Sequence, residues 1–249
     1  MGKLLSFLAL FLLTLTGFIE LSAQDTASGP WVMQSSGTSA SFRGIHAVGG
    51  GVAWASGTNG TVLRTEDSGY MWQSCAMPPG AEKLDFRGIW AWDADTAVVM
   101  SSGPGDQSRL YETTDGCSHW TLLYTNPDKD GFWDAVLFQS RTDGFLLGDP
   151  VGGRFVLLKT EDGGKTWSRS KAVGLEATPE IKGAFSASNS SLADLTNHRL
   201  FFGAGAGVLY YGFRLESAVL DAPSDTPPAV SESWAHVSVP VASKQPVGV

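Results

Sequence analysis

Three stretches decide the fold: Thr65-Glu66-Asp67-Ser68-Gly69-Tyr70-Met71-Trp72, Thr113-Thr114-Asp115-Gly116-Cys117-Ser118-His119-Trp120, and Thr160-Glu161-Asp162-Gly163-Gly164-Lys165-Thr166-Trp167. They align without gaps as Thr-x-Asp-x-Gly-x-x-Trp, and the tryptophans step by 48 (72 to 120) and 47 (120 to 167). A repeat near this period is the mark of an array of small β-units. The Asp accepts hydrogen bonds from backbone N–H groups across a tight turn. The Gly permits positive φ. The Trp starts the next strand and packs its large apolar face between neighbouring sheets. Strand-like runs, Thr61–Arg64 and Arg154–Lys159, lead into the first and third boxes, so each box is a hairpin turn.

The remainder of the unit repeats as well. Phe42-Arg43-Gly44-Ile45 recurs as Phe86-Arg87-Gly88-Ile89, and Phe132-Trp133-Asp134-Ala135-Val136 takes the same place in the third unit. A second strand follows each, at Gly51–Trp54, Thr96–Val99 and Gly144–Leu147. Four short strands in roughly 45 residues make one propeller blade. The expectation is an all-β propeller of four-stranded antiparallel blades. A fourth unit starts at Gly183-Ala184-Phe185, with middle strands Leu200–Gly203 and Val208–Tyr211. It lacks an Asp box, and a polar insert from about Glu216 to Ser231 before Trp234 reads as a surface loop.

The N-terminus reads as a secretory signal peptide over residues 1–23. Lys3 is followed by an apolar run of 15 residues, Leu4 to Phe18, and by Leu21-Ser22-Ala23 before Gln24. An uncleaved anchor is the alternative. No other stretch is long and apolar enough to span a bilayer. The expected location is exported, periplasmic or extracellular, with the propeller occupying 24–249. Trp31-Val32-Met33 matches an outer strand displaced to the front of the chain, and the last residues fall where another inner strand should begin. The expectation is therefore six to seven blades in the full protein, with about four to five in this sequence.

Net charge is −8, with no basic groove, which excludes the usual nucleic-acid binders. Export permits a Cys75–Cys117 disulfide; two free buried thiols are the other reading. Two cysteines without a nearby His pair make no structural zinc site. Asp128-Lys129-Asp130-Gly131 lacks the oxygen ligands and closing Glu of a calcium loop. No metal or cofactor is expected.

The boxes resemble the Asp-box (BNR) repeats of sialidases and of Ycf48/HCF136-like photosystem II assembly factors. Phe132–Ala135, Leu147-Gly148-Asp149-Pro150, Gly153–Val156 and Gly183–Phe185 resemble more specifically a bacterial exported group of YCF48-like propellers without an established reaction. The resemblance covers nearly all of the chain beyond the leader. It implies a propeller that binds or helps assemble another macromolecule. Cys117 stands where the second box should have Gly.

Catalytic templates fail. The sialidase Arg-Ile-Pro signature is absent, and no Glu neighbours Tyr210 or Tyr211 within the strand. There is no Gly-x-Ser-x-Gly elbow and no His-Glu-x-x-His. Gly203-Ala204-Gly205-Ala206-Gly207 joins two strands and is no dinucleotide loop. No catalytic residue is assigned. Candidate site residues follow from position instead. The boxes join third to fourth strands, so they mark one face. The opposite face should gather Arg43, Arg87, Trp133, Asp134, Asn59, Asp106 and Asp149, with Arg43, Arg87 and Trp133 equivalent in successive blades. Arg43, Arg87, Trp133, Asp134 and Asp149 form the candidate binding rim, for another protein or a glycan. In the competing reading the arginines pair with Asp134 or Asp149 and only brace adjacent blades. Asp67, Asp115 and Asp162 are scaffold residues, as are Thr65, Thr113, Thr160, Gly69, Gly164, Trp72, Trp120 and Trp167.

Overall fold

The computed structural model describes residues 32–186, 189–195, 199–217 and 229–239. The leader and Trp31 lie outside the described residues. Residues up to Gln34 form a unit of their own. Within it Val32 and Met33 are exposed and in no strand, contrary to the expected outer strand.

From Ser35 onward the chain folds as four antiparallel four-stranded sheets, each built from consecutive strands. Blade 1 has β1 (Phe42–Gly49), β2 (Val52–Gly57), β3 (Val62–Thr65) and β4 (Gln73–Ser74). Blade 2 has β5 (Phe86–Ala91), β6 (Ala97–Ser101), β7 (Arg109–Thr113) and β8 (Thr121–Thr125). Blade 3 has β9 (Trp133–Phe138), β10 (Gly144–Val151), β11 (Arg154–Thr160) and β12 (Ser168–Arg169). Blade 4 has β13 (Leu192–Leu195), β14 (Arg199–Ala204), β15 (Val208–Ser217) and β16 (Ala229–Ser238).

A blade between two others buries both faces, so its strands are continuously apolar instead of alternating. Along β11, Phe155 and Leu157 face the core shared with blade 4, while Val156 and Leu158 face the core shared with blade 2. Blades 1 and 2 share a third core around Trp54, Phe86, Ile89, Tyr111 and Trp120. Among the described residues no such core joins blade 4 to blade 1.

The boxes are turns with a common set of hydrogen bonds. The box threonine hydroxyl donates to the Asp carboxylate at 2.8 Å in the first and third boxes and 3.0 Å in the second. The same hydroxyl accepts from the N–H four residues on, at Gly69 (3.0 Å), Cys117 (3.1 Å) and Gly164 (2.9 Å). The Asp accepts from the residue before the Trp: Met71, His119 and Thr166. Cys117 takes φ of +65° and keeps the turn intact without glycine. It is bonded to Cys75, just past β4, so a disulfide ties blade 1 to the box of blade 2. Trp120 and Trp167 wedge against the preceding blade, as their size demands. Trp72 belongs to none of the three cores.

Blade 4 departs from the sequence reading in two ways. Its inner strand does not run on from Gly183-Ala184-Phe185: Ala184 makes one isolated bridge to Ala204, and pairing resumes only at Leu192, opposite Phe202. The expected loop after Glu216 is also partly strand. β15 and β16 pair without interruption from Val208↔Ser238 to Ser217↔Ala229. Trp234, opposite Gly212, takes the register of a box tryptophan, and five further pairs extend past it as a two-stranded ribbon. No turn chemistry stops the hairpin there, so the ladder continues.

Candidate functional site

The inner strands of blades 1, 2 and 3 each carry an irregularity near their start. Pairing runs Phe42↔Gly57 then Gly44↔Ser56, Phe86↔Ser101 then Gly88↔Met100, and Trp133↔Gly148 then Ala135↔Leu147. The skipped residues are Arg43, Arg87 and Asp134. A bulge leaves one residue unpaired and re-aims its side chain. The equivalent positions are thus Arg43, Arg87 and Asp134, not Arg43, Arg87 and Trp133. Trp133 corresponds to Phe42 and Phe86. It is buried between blades 2 and 3, stacked on Tyr124 at 5.7 Å and 9°, and does not face the rim.

In blade 4 the bulge becomes an excursion. Pairs 42–57, 86–101 and 133–148 are each 15 residues apart, whereas Ala184 and Ala204 are 20 apart. The added length includes a short turn, Asn189–Ser191, lying against β1, β5 and β9. There the Asn189 carboxamide accepts from the Ile89 N–H at 2.9 Å and donates to the Ile89 carbonyl. It satisfies the edge of β5 that faces away from β6, as a neighbouring strand would. Gly44 leaves the room: a Cβ there would stand 2.9 Å from Asn189 Oδ1 and 2.6 Å from Ser56 Oγ.

Arg87 is half-buried. Its Nε donates to Asp85 Oδ2 at 2.8 Å, one of its terminal nitrogens donates to Ser186 Oγ at 2.8 Å, and the guanidinium lies 5.7 Å from the Phe132 ring centre. Arg43 is exposed and makes no ion pair among the described residues. Among the described residues neither arginine forms a salt bridge with Asp134 or Asp149, the pairing that the competing reading named; Arg87 instead bonds Asp85 and Ser186. Asn59 and Asp106 occupy the turns between second and third strands, Asn59 with φ of +57° and Asp106 in a short 3-10 turn.

Asp134 is 1% exposed, and Asp149 is half-buried beside it. Asp149 sits at a second bulge, between Gly148 and Pro150 of β10. Asp134 Oδ2 is buried without a hydrogen-bond partner among the described residues. Asp149 Oδ1 accepts the Ala184 N–H at 2.9 Å. Burial first, and then the Asp149 charge, push Asp134 up to about 8, with the Arg87 guanidinium working against the shift. Burial also raises Asp149, opposed by the Ala184 N–H. The box acids are the opposite case. The His119 ring and N–H hold Asp115 at about 2, and the Thr166 hydroxyl and N–H hold Asp162 at about 2. The Met71 N–H and the Thr65 hydroxyl lower Asp67.

A separate cleft of about 340 Å³ lies on the box side between blades 3 and 4, walled by Phe145, Leu157 and Trp234 and edged by Asp143, Lys159 and Glu232. It is remote from the bulged residues in the topology of the blades. Ser186, Asn189 and Asp85 were not among the candidate rim residues read from sequence. The longer spacing in the fourth unit was the signal for Ser186 and Asn189.

No family model matches the chain. A curated relative, the photosystem II assembly lipoprotein Ycf48 of Synechococcus sp. (strain CC9902), is 25% identical over 191 residues, covering 74% of this chain and 53% of its own. The chain is similar to Ycf48. A solved structure of YCF48 bound to D1 peptide superposes with a TM-score of 0.57 at 14% identity, over 87% of this chain and 59% of that one. The GH74 xyloglucanase from Xanthomonas campestris gives a TM-score of 0.50 at 17% identity, over 74% and 27%. At these identities the solved structures establish the β-propeller fold. The chain spans about half the length of the curated relative it matches.

Proposed function

We propose that this chain is a non-enzymatic β-propeller acting as a binding or assembly scaffold, with a protein partner seated at the bulged ends of its inner strands. The observation that carries the reading is the bulge itself. It recurs in three blades and places Arg43, Arg87 and Asp134 at corresponding positions on the face away from the boxes. Bulges that re-aim side chains concentrate at functional sites. The similarity to Ycf48, one form of which is solved with D1 peptide, supports a peptide-binding role. The test is capture of a partner from an envelope extract by the wild-type chain and by a doubly substituted Arg43→Ala, Arg87→Ala chain. The reading expects a folded double variant that has lost the partner. Retained capture by that variant would move the partner off this face.

The second reading is a carbohydrate-active enzyme or lectin-like module. The likeness to the xyloglucanase concerns fold alone. Turnover of fluorogenic glycosides, abolished by Asp134→Asn or Asp149→Asn, would favour the enzyme.

We also infer that residues 1–23 are a cleaved export leader and that residues 24–249 form one arc of a larger ring in the periplasm or outside the cell. The leader reading supports export. The partial coverage of the relative and the position of Trp72 outside every blade junction support the arc. N-terminal sequencing of the secreted protein checks the first. A gene carrying further Asp-box repeats checks the second.

A further inference from the structure

We propose that the cleft on the box side of the junction between blades 3 and 4 binds a primary alkylammonium, a short apolar chain ending in a cation. The site is separate from the bulged face and does not depend on the scaffold reading.

The cleft exists because this junction is filled differently from the two before it. Trp92 and Gln139 close equivalent hairpins, their N–H groups donating to the Thr96 carbonyl at 3.0 Å and the Asp143 carbonyl at 2.8 Å. Phe138 and Asp194 are equivalent inner-strand residues, paired with Gly144 and Leu200. Between blades 2 and 3 the Trp92 and Phe138 rings meet edge to face at 5.0 Å, and Trp167 packs on Phe138 at 6.2 Å. Between blades 1 and 2 the corresponding places hold Val48, Ala91 and Trp120, all in one core. Between blades 3 and 4 the first two partners are polar: Gln139 Nε2 donates to Asp194 Oδ2 at 2.7 Å. Trp234 keeps the register of a box tryptophan, opposite Gly212, where a Cβ would stand 2.9 Å from the indole. An amide and a carboxylate fill less space than two aromatic rings. A void of about 340 Å³ remains beside Trp234. That volume falls at the small end of ligand sites, which run from about 300 to 1,000 Å³.

The walls are apolar and the mouth is acidic. Phe145, Leu157, Leu200 and Trp234 line the interior, and each is buried in the fold. Asp143, Lys159 and Glu232 stand at the edge. The Thr142 and Ser140 hydroxyls hold Asp143 below the usual carboxylate range, so it is an anion. Glu232 is exposed and makes no ion pair among the described residues. Lys159 is paired with Glu161 at 2.7 Å and feels both Glu232 and Asp143, so the opening is net negative. Gln139 gives an N–H to Asp194 and keeps its carbonyl oxygen as an acceptor. Acceptors therefore predominate around the opening. An ammonium offers three donors and no acceptor, which matches them. Its alkyl chain matches the apolar walls. A carboxylate ligand would meet two like charges, and the Lys159 cation that could receive it is already paired. The chain's overall charge of −8 also draws cations towards it.

Titration of the full chain with butylammonium near pH 7, followed by the Trp234 indole N–H signal in NMR, tests the site. The signal missing from Trp234→Phe assigns that indole. In the wild type, butylammonium should move it saturably, about five-fold more tightly than n-butanol and with no comparable effect from butyrate or glucose. Added salt should narrow the margin over the alcohol. Glu232→Gln should weaken ammonium binding about three-fold and leave butanol unchanged. Equal binding of Nα-acetyl-lysine methylamide would assign the site to a lysine side chain of a partner; binding of the free amine alone would assign it to a small molecule. Ammonium and alcohol binding equally well overturns the proposal. So does a Trp234 signal that does not saturate, or one that responds more strongly to butyrate or glucose. These wild-type comparisons decide the matter even if Glu232→Gln fails to fold.

Discussion

Asp149, bulged out of β10 beside the bulged Asp134 of β9, accepts the Ala184 N–H at 2.9 Å where the chain enters blade 4. In blades 1 and 2 the position of Asp134 holds an arginine. Blade 3 therefore replaces a cation with a buried acid, whose carboxyl burial and the Asp149 charge push up to about 8.

The first prediction concerns stability against pH. The folded-state value of Asp134, about 8, lies above the ordinary carboxylate value. Its contribution is thus fully present below about pH 4 and is lost as pH rises through about 8. The box acids have the opposite sign. Asp115 and Asp162, held at about 2, contribute above the ordinary carboxylate range and lose that contribution as pH falls toward 2. Melting temperature measured across pH should show both limbs. Asp134→Asn should flatten the limb above about pH 4, and Asp115→Asn with Asp162→Asn should flatten the acid one.

The second concerns the disulfide. Cys75 and Cys117 are 42 residues apart in sequence. Closing a loop of that size stabilises by about 4 kcal/mol in the chain-entropy account. For a domain of this size, reduction should lower the melting temperature by roughly 10 °C. The check is a thermal scan with and without reductant. A Cys75→Ala, Cys117→Gly chain, which restores the box glycine, should be indifferent to reductant.

The third concerns the box. Thr160 is 1% exposed and its hydroxyl serves both Asp162 and the Gly164 N–H. Thr160→Val keeps the shape and leaves that N–H unpaired, at a cost of about 1–3 kcal/mol. Urea unfolding measures it, with an unchanged denaturant slope expected.

The fourth separates two glycines of similar conformation. Gly174 has φ of +87° and lies against the Trp234 backbone, where a Cβ would collide with the carbonyl oxygen. Gly152 has φ of +65° and open space around it. Gly174→Ala should cost roughly 3 kcal/mol or more, from strain and collision together. Gly152→Ala should cost about 1 kcal/mol from strain alone. Equal losses in the two unfolding curves would mean that the contact with blade 4 is not formed.

The sequence by itself determined the blade. A local turn motif needs only residues close along the chain: Thr160, Asp162 and Gly164 satisfy one another within five positions, so the box is legible wherever it recurs. The apolar run Phe155–Leu158 likewise announces a strand buried on both faces. Tertiary structure decided what the sequence left open. It joined Cys75 to Cys117, which depends on how two blades pack. It shifted the alignment of the inner strands by one residue, because a bulge is a difference in register between two strands and neither strand alone carries it. That shift took Trp133 into the core and placed Asp134 beside Asp149. It also brought Ser186 and Asn189 onto Arg87 and Ile89, about 100 residues away in the chain. Hydrogen bonds within a turn are written in local sequence; the surroundings of a bulged residue exist only once the strands that hold it are paired.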